Sequence, residues 1–122
     1  MGKVHRSEIN EILYIEKEGE KELLVSSDEG LIKFFKQKDD GEFQQRRSFL
    51  VNEKGISCLT PLLGNDSLAI ATYDNQIVLF SVVTGTTMRS FFAHDNTISG
   101  VCSNSESLVT GSHDTTIKIW SL

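Results

Sequence analysis

Three residue types that cooperate in hydrolases occur near the end of this 122-residue chain: Ser112, His94 and Asp114. Such residues can act as nucleophile, base and orienting acid. However, Ser112 lies in no Gly-x-Ser-x-Gly sequence, the sharp turn that exposes many serine nucleophiles. A metal site of His94, His113 and Asp114 is a second interpretation, but no compact group of His and Cys supports it. The third interpretation, which we favour, is a structural hydrogen-bond network.

The sequence around Asp114 belongs to a pattern that occurs three times. In each copy a Ser or Thr lies two residues before an Asp, and an aromatic residue lies six after it. The copies are Ser26/Asp28/Phe34, Thr72/Asp74/Phe80 and Ser112/Asp114/Trp120, with the Asp residues 46 and then 40 positions apart. A repeat of about 40–45 residues built from short apolar runs is typical of β-propeller blades.

Strands are predicted throughout the chain. Apolar and polar residues alternate within short runs bounded by turn residues such as Asp40-Gly41, which favours an all-β fold. A helix over residues 8–21 is the one local alternative, because that stretch is rich in Glu, Leu and Ile. We predict a partial propeller in which residues 1–122 form one repeat region, with four-stranded blades at about 5–50 and 51–93 and an incomplete one at 94–122.

Composition restricts the function. The net charge is −5, whereas a large nucleic-acid interface needs a basic surface, so no nucleic-acid partner is expected. No apolar run approaches the roughly 20 residues of a membrane-spanning helix, and the first residues do not resemble a signal peptide. Cys58 and Cys102 lie singly in apolar runs, which predicts free, buried thiols in a reducing compartment such as the cytoplasm. No cofactor is expected.

A specific network is predicted for the third copy. In a blade, the loop that carries His94 returns beside the turn that carries Asp114. The Trp120 indole would donate to the Ser112 hydroxyl, this hydroxyl would donate to His94, and the other nitrogen of His94 would donate to Asp114, so that each buried donor meets an acceptor. In the other copies His5 and Asn52 take the place of His94, beside Asp28 and Asp74, and a Phe that cannot donate replaces Trp120.

These residues resemble the WD40 repeat family. Ala93-His94 stands for its Gly-His signature and Ile119-Trp120 for its Trp-Asp end, although Ser121 follows Trp120. Within that family, residues 44–120 are similar to the propeller of BEACH–WD40 proteins, through Gln45-Arg46-Arg47-Ser48, Tyr73-Asp74-Asn75 and Lys118-Ile119-Trp120-Ser121. The resemblance implies a cytoplasmic scaffold in signalling or membrane traffic without enzyme activity in the propeller. A WD40 substrate receptor of a ubiquitin ligase is the alternative.

A partner surface is predicted at the turns. Ser27, Tyr73 and His113, each just before a turn Asp, are expected at the rim of one face, with Asp95 on a neighbouring loop. An exposed Tyr and His flanked by charge form a plausible contact set for a peptide or protein; the alternative is that they are ordinary solvated turn residues. Self-association is also expected, because three blades are fewer than the roughly four to eight that close a propeller.

Overall fold

The computed structural model describes residues 8–17 and 19–122 of the chain. This part contains strands and one short 3-10 turn, Leu63–Asn65, and residues 9–17 are a strand rather than a helix. The strands are β1 Ile9–Lys17, β2 Glu20–Ser27, β3 Leu31–Gln37, β4 Phe43–Leu50, β5 Ile56–Pro61, β6 Ser67–Thr72, β7 Gln76–Ser81, β8 Thr86–Phe92, β9 Ile98–Ser103, β10 Ser107–Ser112 and β11 Ile117–Ser121.

The strands form three antiparallel sheets in sequence order. Sheet 1 is β1-β2-β3-β4, sheet 2 is β5-β6-β7-β8 and sheet 3 is β9-β10-β11. Within the described residues the sheets do not form a closed ring. The prediction of an all-β, partial propeller whose third blade lacks its outer strand is therefore confirmed.

The hydrophobic core lies between consecutive sheets. One cluster joins sheets 1 and 2, and a second joins sheets 2 and 3. Because sheet 2 is covered on both sides, its strand β6 is buried along almost its whole length instead of alternating. The first cluster includes Leu24, Ile32, Phe34, Leu59, Leu68, Ile70 and Phe80, and the second includes Cys58, Ala69, Ala71, Ile77, Ile98 and Leu108.

The outer strand β4 attaches sheet 1 to sheet 2. The guanidinium of Arg47 lies 4.4 Å from the centre of the Phe34 ring, and its Nη1 donates to the carbonyl oxygen of Val82 at 2.6 Å. The Phe49 ring centre lies 5.5 Å from that of Phe80 in sheet 2. The same Arg-Ser-Phe sequence recurs in β8, where Phe91 lies 4.8 Å from the Trp120 ring. Each complete sheet therefore contacts the next through an aromatic residue of its outer strand.

The turns at one end of the sheets lie against the loops that join consecutive sheets. In the loop between sheets 1 and 2, the Gly55 carbonyl accepts from the Tyr73 N–H at 3.0 Å. Gly55 has a φ of 98°, and a Cβ built on it would lie 2.0 Å from the Asp28 carbonyl oxygen. Two constraints therefore require glycine at this position: its positive φ and the lack of space for a Cβ.

The two cysteines differ in exposure. Cys58 is buried between sheets 2 and 3, and burial raises the pKa of its thiol to about 11. Cys102 is exposed, so the prediction of two buried thiols is wrong for this residue. The reason is that Cys102 lies on the side of sheet 3 that no described sheet covers.

We expect Gly55→Ala to destabilise the protein more than Gly41→Ala. Both glycines have φ near +90°, but a Cβ on Gly41 would meet no atom within 4 Å. Gly41→Ala should therefore cost only the left-handed backbone strain of about 1–2 kcal/mol, whereas Gly55→Ala adds a clash with backbone and should exceed about 3 kcal/mol. Urea unfolding of both variants measures the difference, and equal losses would contradict the close approach.

Candidate functional site

A buried histidine connects three parts of sheet 3. His94 is fully buried, its Nδ1 lies 3.0 Å from Asp114 Oδ2, and its Nε2 lies 2.7 Å from the Thr110 hydroxyl. The Trp120 indole N–H donates to the same hydroxyl at 3.1 Å. We assign the proton of His94 to Nδ1, because Nε2 then accepts from Thr110 while Asp114 accepts from Nδ1. Each of these donors has an acceptor, so the network carries no unpaired hydrogen.

The predicted position of Ser112 in this chain of bonds is wrong, and Thr110 takes it. Trp120 pairs directly with Leu108, which makes Thr110 the diagonal neighbour within reach of the indole, whereas Ser112 lies two residues further along β10. The Ser112 hydroxyl instead donates to the Asn96 carbonyl and accepts from the Asp114 N–H, both at 3.0 Å. Among the described residues no hydrogen bond joins Ser112 to His94, so the geometry gives no support to a hydrolase triad.

Sequence reasoning missed Thr110, although a signal was present. Strand pairing makes Val25 and Ile70 its counterparts in sheets 1 and 2, and both are buried. A threonine at a position that is otherwise aliphatic marks a hydroxyl with a structural task. Thr110 also occurs in the copy that ends in Trp120 rather than in Phe. The indole N–H of Trp is a donor that needs an acceptor, whereas the Phe ring has no donor.

The Asp114 carboxylate receives several hydrogen bonds at the turn. The Thr116 hydroxyl donates to it at 2.6 Å, and the backbone N–H groups of Thr116 and Asp95 donate at 2.9 and 3.1 Å. The Thr116 hydroxyl lowers the pKa of Asp114 most, and the backbone donors and His94 add to the effect against the opposing effect of burial. The side chain is therefore a stable anion that holds the turn to the loop at residues 94–95.

The corresponding site of sheet 2 lacks the histidine. Asn52 takes its place and its Nδ2 lies 3.3 Å from Asp74 Oδ2, while the Thr72 hydroxyl also donates to this carboxylate. The amide thus bridges the loop and the turn as His94 does in sheet 3. Among the described residues the Asn52 amide donates to Asp74, and the ring of Phe80, unlike the indole of Trp120, has no group that can donate a hydrogen bond.

In sheet 1 the predicted alignment is wrong by one residue. The pair Leu23–Phe35 corresponds to Leu68–Phe80, an offset of 45 rather than 46. Glu29, not Asp28, is then the counterpart of Asp74, and its carboxylate accepts from the Ser27 hydroxyl at 3.3 Å. Gly30, with φ of 84°, has the left-handed conformation of Asn75 and Thr115. His5, predicted beside this turn, lies outside the described residues.

The offset also changes the predicted partner surface. Ser27 is fully buried, so its prediction as a rim residue is wrong, and Asp28 occupies the place that corresponds to Tyr73 and His113. The Tyr73 hydroxyl donates to Asp28 Oδ1 at 3.0 Å. Burial raises the pKa of Tyr73, and the bond to Asp28 and its negative charge raise it further. We call Asp28, Tyr73 and His113 the turn row.

His113 lies on the next turn, and Asp95 lies on the loop that donates to the neighbouring residue of that turn, Asp114. Both are exposed, and the His113 N–H donates to the Thr97 carbonyl at 2.9 Å. His113 is not joined to His94 or Asp114 in a metal site. Within the described residues no group of three or more His, Cys, Asp or Glu side chains is arranged to bind a metal ion.

Part of the chain matches a known family of repeats. Residues 85–121, which include β8 and all of sheet 3, match the family described as WD domain, G-beta repeat. The chain therefore contains a WD40 repeat, and the buried network from His94 to Trp120 lies within it.

Solved structures are similar to nearly the whole chain, and two of them are designed proteins. The computationally designed Ika8 and Ika4 proteins each align with 97% of it at 19% identity and a TM-score of 0.77. The chain spans 34% of the length of Ika8 and 68% of Ika4. At this identity the likeness concerns the fold alone. In the described part of the chain, no helix has the length and apolar character needed to cross a membrane.

We expect Thr110 to be coupled energetically to Trp120. Thr110→Val leaves the half-buried indole N–H without its acceptor and should lower the free energy of unfolding by about 1–3 kcal/mol. In a Trp120→Phe background the same change should cost about 1 kcal/mol less, because the donor is gone. A double-mutant cycle by urea unfolding tests this, with the exposed Thr87→Val as control. Additive effects would show that the bond contributes nothing.

Asp114 should make stability depend on acid pH. Because its folded pKa is lowered, its contribution is complete above the pKa of an unfolded carboxyl, about 4, and is lost as the pH falls below it. Asp114→Asn should therefore reduce the loss of stability between pH 6 and pH 3. The urea midpoint measured across this range checks the effect against Asp95→Asn. An unchanged pH profile in Asp114→Asn would refute it.

Proposed function

We propose that this chain is part of a WD40-type protein-interaction scaffold that binds proteins or peptides through the turn row. The observation that carries the proposal is Tyr73, which is 41% exposed while its hydroxyl is bonded to Asp28. An aromatic side chain that is exposed yet fixed is suited to binding, because little conformational entropy is lost when a partner orders it. Tyr is also common among residues that dominate binding energy.

The neighbouring residues support a polar rim around this tyrosine. Asp28 and Asp95 supply carboxylates, and His113 supplies an exposed imidazole one sheet away from Tyr73. Aromatic contacts surrounded by polar groups are the usual composition of a transient protein interface. The rigid sheets beneath hold these residues at fixed spacing, so that a partner can contact two or three turns at once.

A role in binding rather than catalysis fits the chemistry of the buried network. Both nitrogens of His94 are engaged, one by Thr110 and the other by Asp114. Because its ring is also fully buried, no ring atom of His94 is open to contact with a substrate. We therefore propose a non-catalytic role in which the network stabilises the turn that displays His113 and Asp95.

We further propose a cytoplasmic setting and a BEACH–WD40-like role in signalling or membrane traffic. The resemblance of residues 44–120 to propellers of that family supports the role, and the free thiols support a reducing compartment. The partners would be other proteins, with no nucleic acid and no membrane insertion.

Capture of partners with the tagged chain tests the binding surface. Tyr73→Ala with His113→Ala should remove proteins that the wild-type chain retains, while Leu63→Ser with Val83→Ser, two exposed apolar residues on loops at the opposite end of the sheets, should retain them. Tyr73→Phe keeps the aromatic ring but removes the hydroxyl that donates to Asp28, so it tests the contribution of the ring apart from that of the hydrogen bond. Retention of the same partners by the turn-row double variant would place the binding site elsewhere.

A second proposed partner is the chain itself. Sheets 1 and 3 each have a side that no described sheet covers, and large apolar residues are exposed on both. Exposed apolar groups in register on adjacent strands favour association. We therefore propose that copies of the chain associate through the ends of the sheet array.

A further inference from the structure

We infer that the turn row binds an arginine side chain of a basic peptide segment, over the ring of Tyr73 and beside the carboxylate of Asp28. The inference rests on the proposed function, because it uses the same surface, and it deepens that function by naming the chemistry of the partner. We call Tyr73 and Asp28 the ring–carboxylate pair. The pair joins the turns of sheets 1 and 2, which pack against each other.

The ring of Tyr73 is fixed and partly open. Its hydroxyl donates to Asp28 Oδ1 at 3.0 Å, and its Cδ2 would lie 3.0 Å from a Cβ built on Gly55. The residue is nevertheless 41% exposed. The face of an aromatic ring carries partial negative charge and attracts a cation. A cation bound here gains this attraction without having to order the ring.

The carboxylate of Asp28 retains an oxygen for a ligand. Its Oδ1 accepts from the Tyr73 hydroxyl and from the Asn10 amide, whereas among the described residues no donor reaches Oδ2. A carboxylate oxygen forms its strongest hydrogen bonds with charged donors such as a guanidinium. The free oxygen therefore favours a cationic ligand over a neutral one.

The surroundings of the pair add negative charge. Glu8 is exposed, and its charge raises the pKa of Tyr73 as the charge of Asp28 does. Lys54 is the cationic residue of the adjoining loop, and within the described part of the chain no ion pair joins it to Asp28 or Glu8. The charge of the pair is therefore complementary to a basic partner and opposes an acidic one.

The chain already contains an arginine that is held by the same two kinds of group. The guanidinium of Arg47 lies 4.4 Å from the centre of the Phe34 ring, and its Nη2 lies 3.3 Å from Glu22 Oε1. A planar guanidinium stacks on a ring and still directs N–H groups to a carboxylate, whereas the ammonium of lysine is a compact, strongly hydrated charge. The ring–carboxylate pair offers these two contacts at the surface, which favours arginine over lysine.

A short peptide tests this chemistry directly. The probe is a pentapeptide with blocked ends and a central arginine between glycines, and matched probes carry lysine or citrulline, the neutral isostere of arginine, at the centre. At constant ionic strength the arginine peptide should shift the NMR signals of Tyr73 and Asp28 to saturation. The expected dissociation constant is on the order of 10 mM, as two exposed contacts allow. The lysine peptide should bind more weakly, and the citrulline peptide should cause no saturable shift.

Two variants separate the charge from the ring. Asp28→Asn keeps an oxygen that accepts from the Tyr73 hydroxyl but removes the charge, and Tyr73→Leu removes the ring. Each should weaken binding of the arginine peptide by about two- to fivefold, and Tyr73→Phe should retain more affinity than Tyr73→Leu. The control is Asp39→Asn, which removes the same charge from the exposed turn between β3 and β4 and should bind as wild type does. Circular dichroism shows whether each variant is folded.

The outcomes separate this inference from the proposed function. Equal affinity for the arginine and citrulline peptides, no saturable shift with either, or unchanged affinity in Asp28→Asn would overturn the cationic ligand. Equal affinity for the lysine and arginine peptides would overturn the assignment to arginine. If captured proteins still depend on Tyr73 and His113 in these cases, the turn row remains a binding surface for a partner of different chemistry. If neither capture nor peptide binding depends on Tyr73, the surface and its ligand are both overturned.

Discussion

Contact between consecutive sheets is the interaction on which the rest of this structure depends. A twisted sheet of four short strands cannot bury its own apolar sides, and both core clusters lie between sheets rather than within one. The outer strands reinforce this contact through Phe49 and Phe91, which reach across to Phe80 and Trp120 of the next sheet. The sheets therefore stabilise one another in sequence, as in other repeat proteins.

The polar networks fix the same contacts at one end of the molecule. Each inter-sheet loop is bonded to the turn of a sheet, through Asn52 and Asp74 in sheet 2 and through His94 and Asp114 in sheet 3. Among the described residues, sheet 3 alone extends this bond into its interior, by way of Thr110 and Trp120. The proposed binding residues Tyr73 and His113 lie on the turns that these networks hold, which links the stability of the repeat to the display of its surface.

Much of the fold followed from the repeat. The spacing of Asp and aromatic residues predicted blades, and alternation predicted strands, because period-2 patterns are local and survive in any sheet arrangement. The site was predicted less well. His94, Asp114 and Trp120 were identified, but Thr110 was not, and Ser112 was given its place. Thr110 and Ser112 are two positions apart on one strand, so their side chains lie on the same side of the sheet. Because both carry a hydroxyl, residue type and spacing cannot tell which of them contacts His94.

The sequence by itself determined the class of structure, the three copies of the pattern and the absence of a donor from the copies that end in Phe. Only the tertiary structure decided how the copies of the pattern align with one another and which side of each sheet is covered by a neighbouring sheet. In sheet 1 the pairs Asp28-Glu29 and Phe34-Phe35 fit two alignments of the repeat equally well. Strand pairing and the left-handed conformation of Gly30 select one of them. In that alignment Asp28, rather than Ser27, corresponds to Tyr73, and Asp28 accepts a hydrogen bond from the Tyr73 hydroxyl. Cys102 and Ile119 are apolar residues of strands, yet they are exposed, because burial depends on which sheet lies opposite and not on the strand itself.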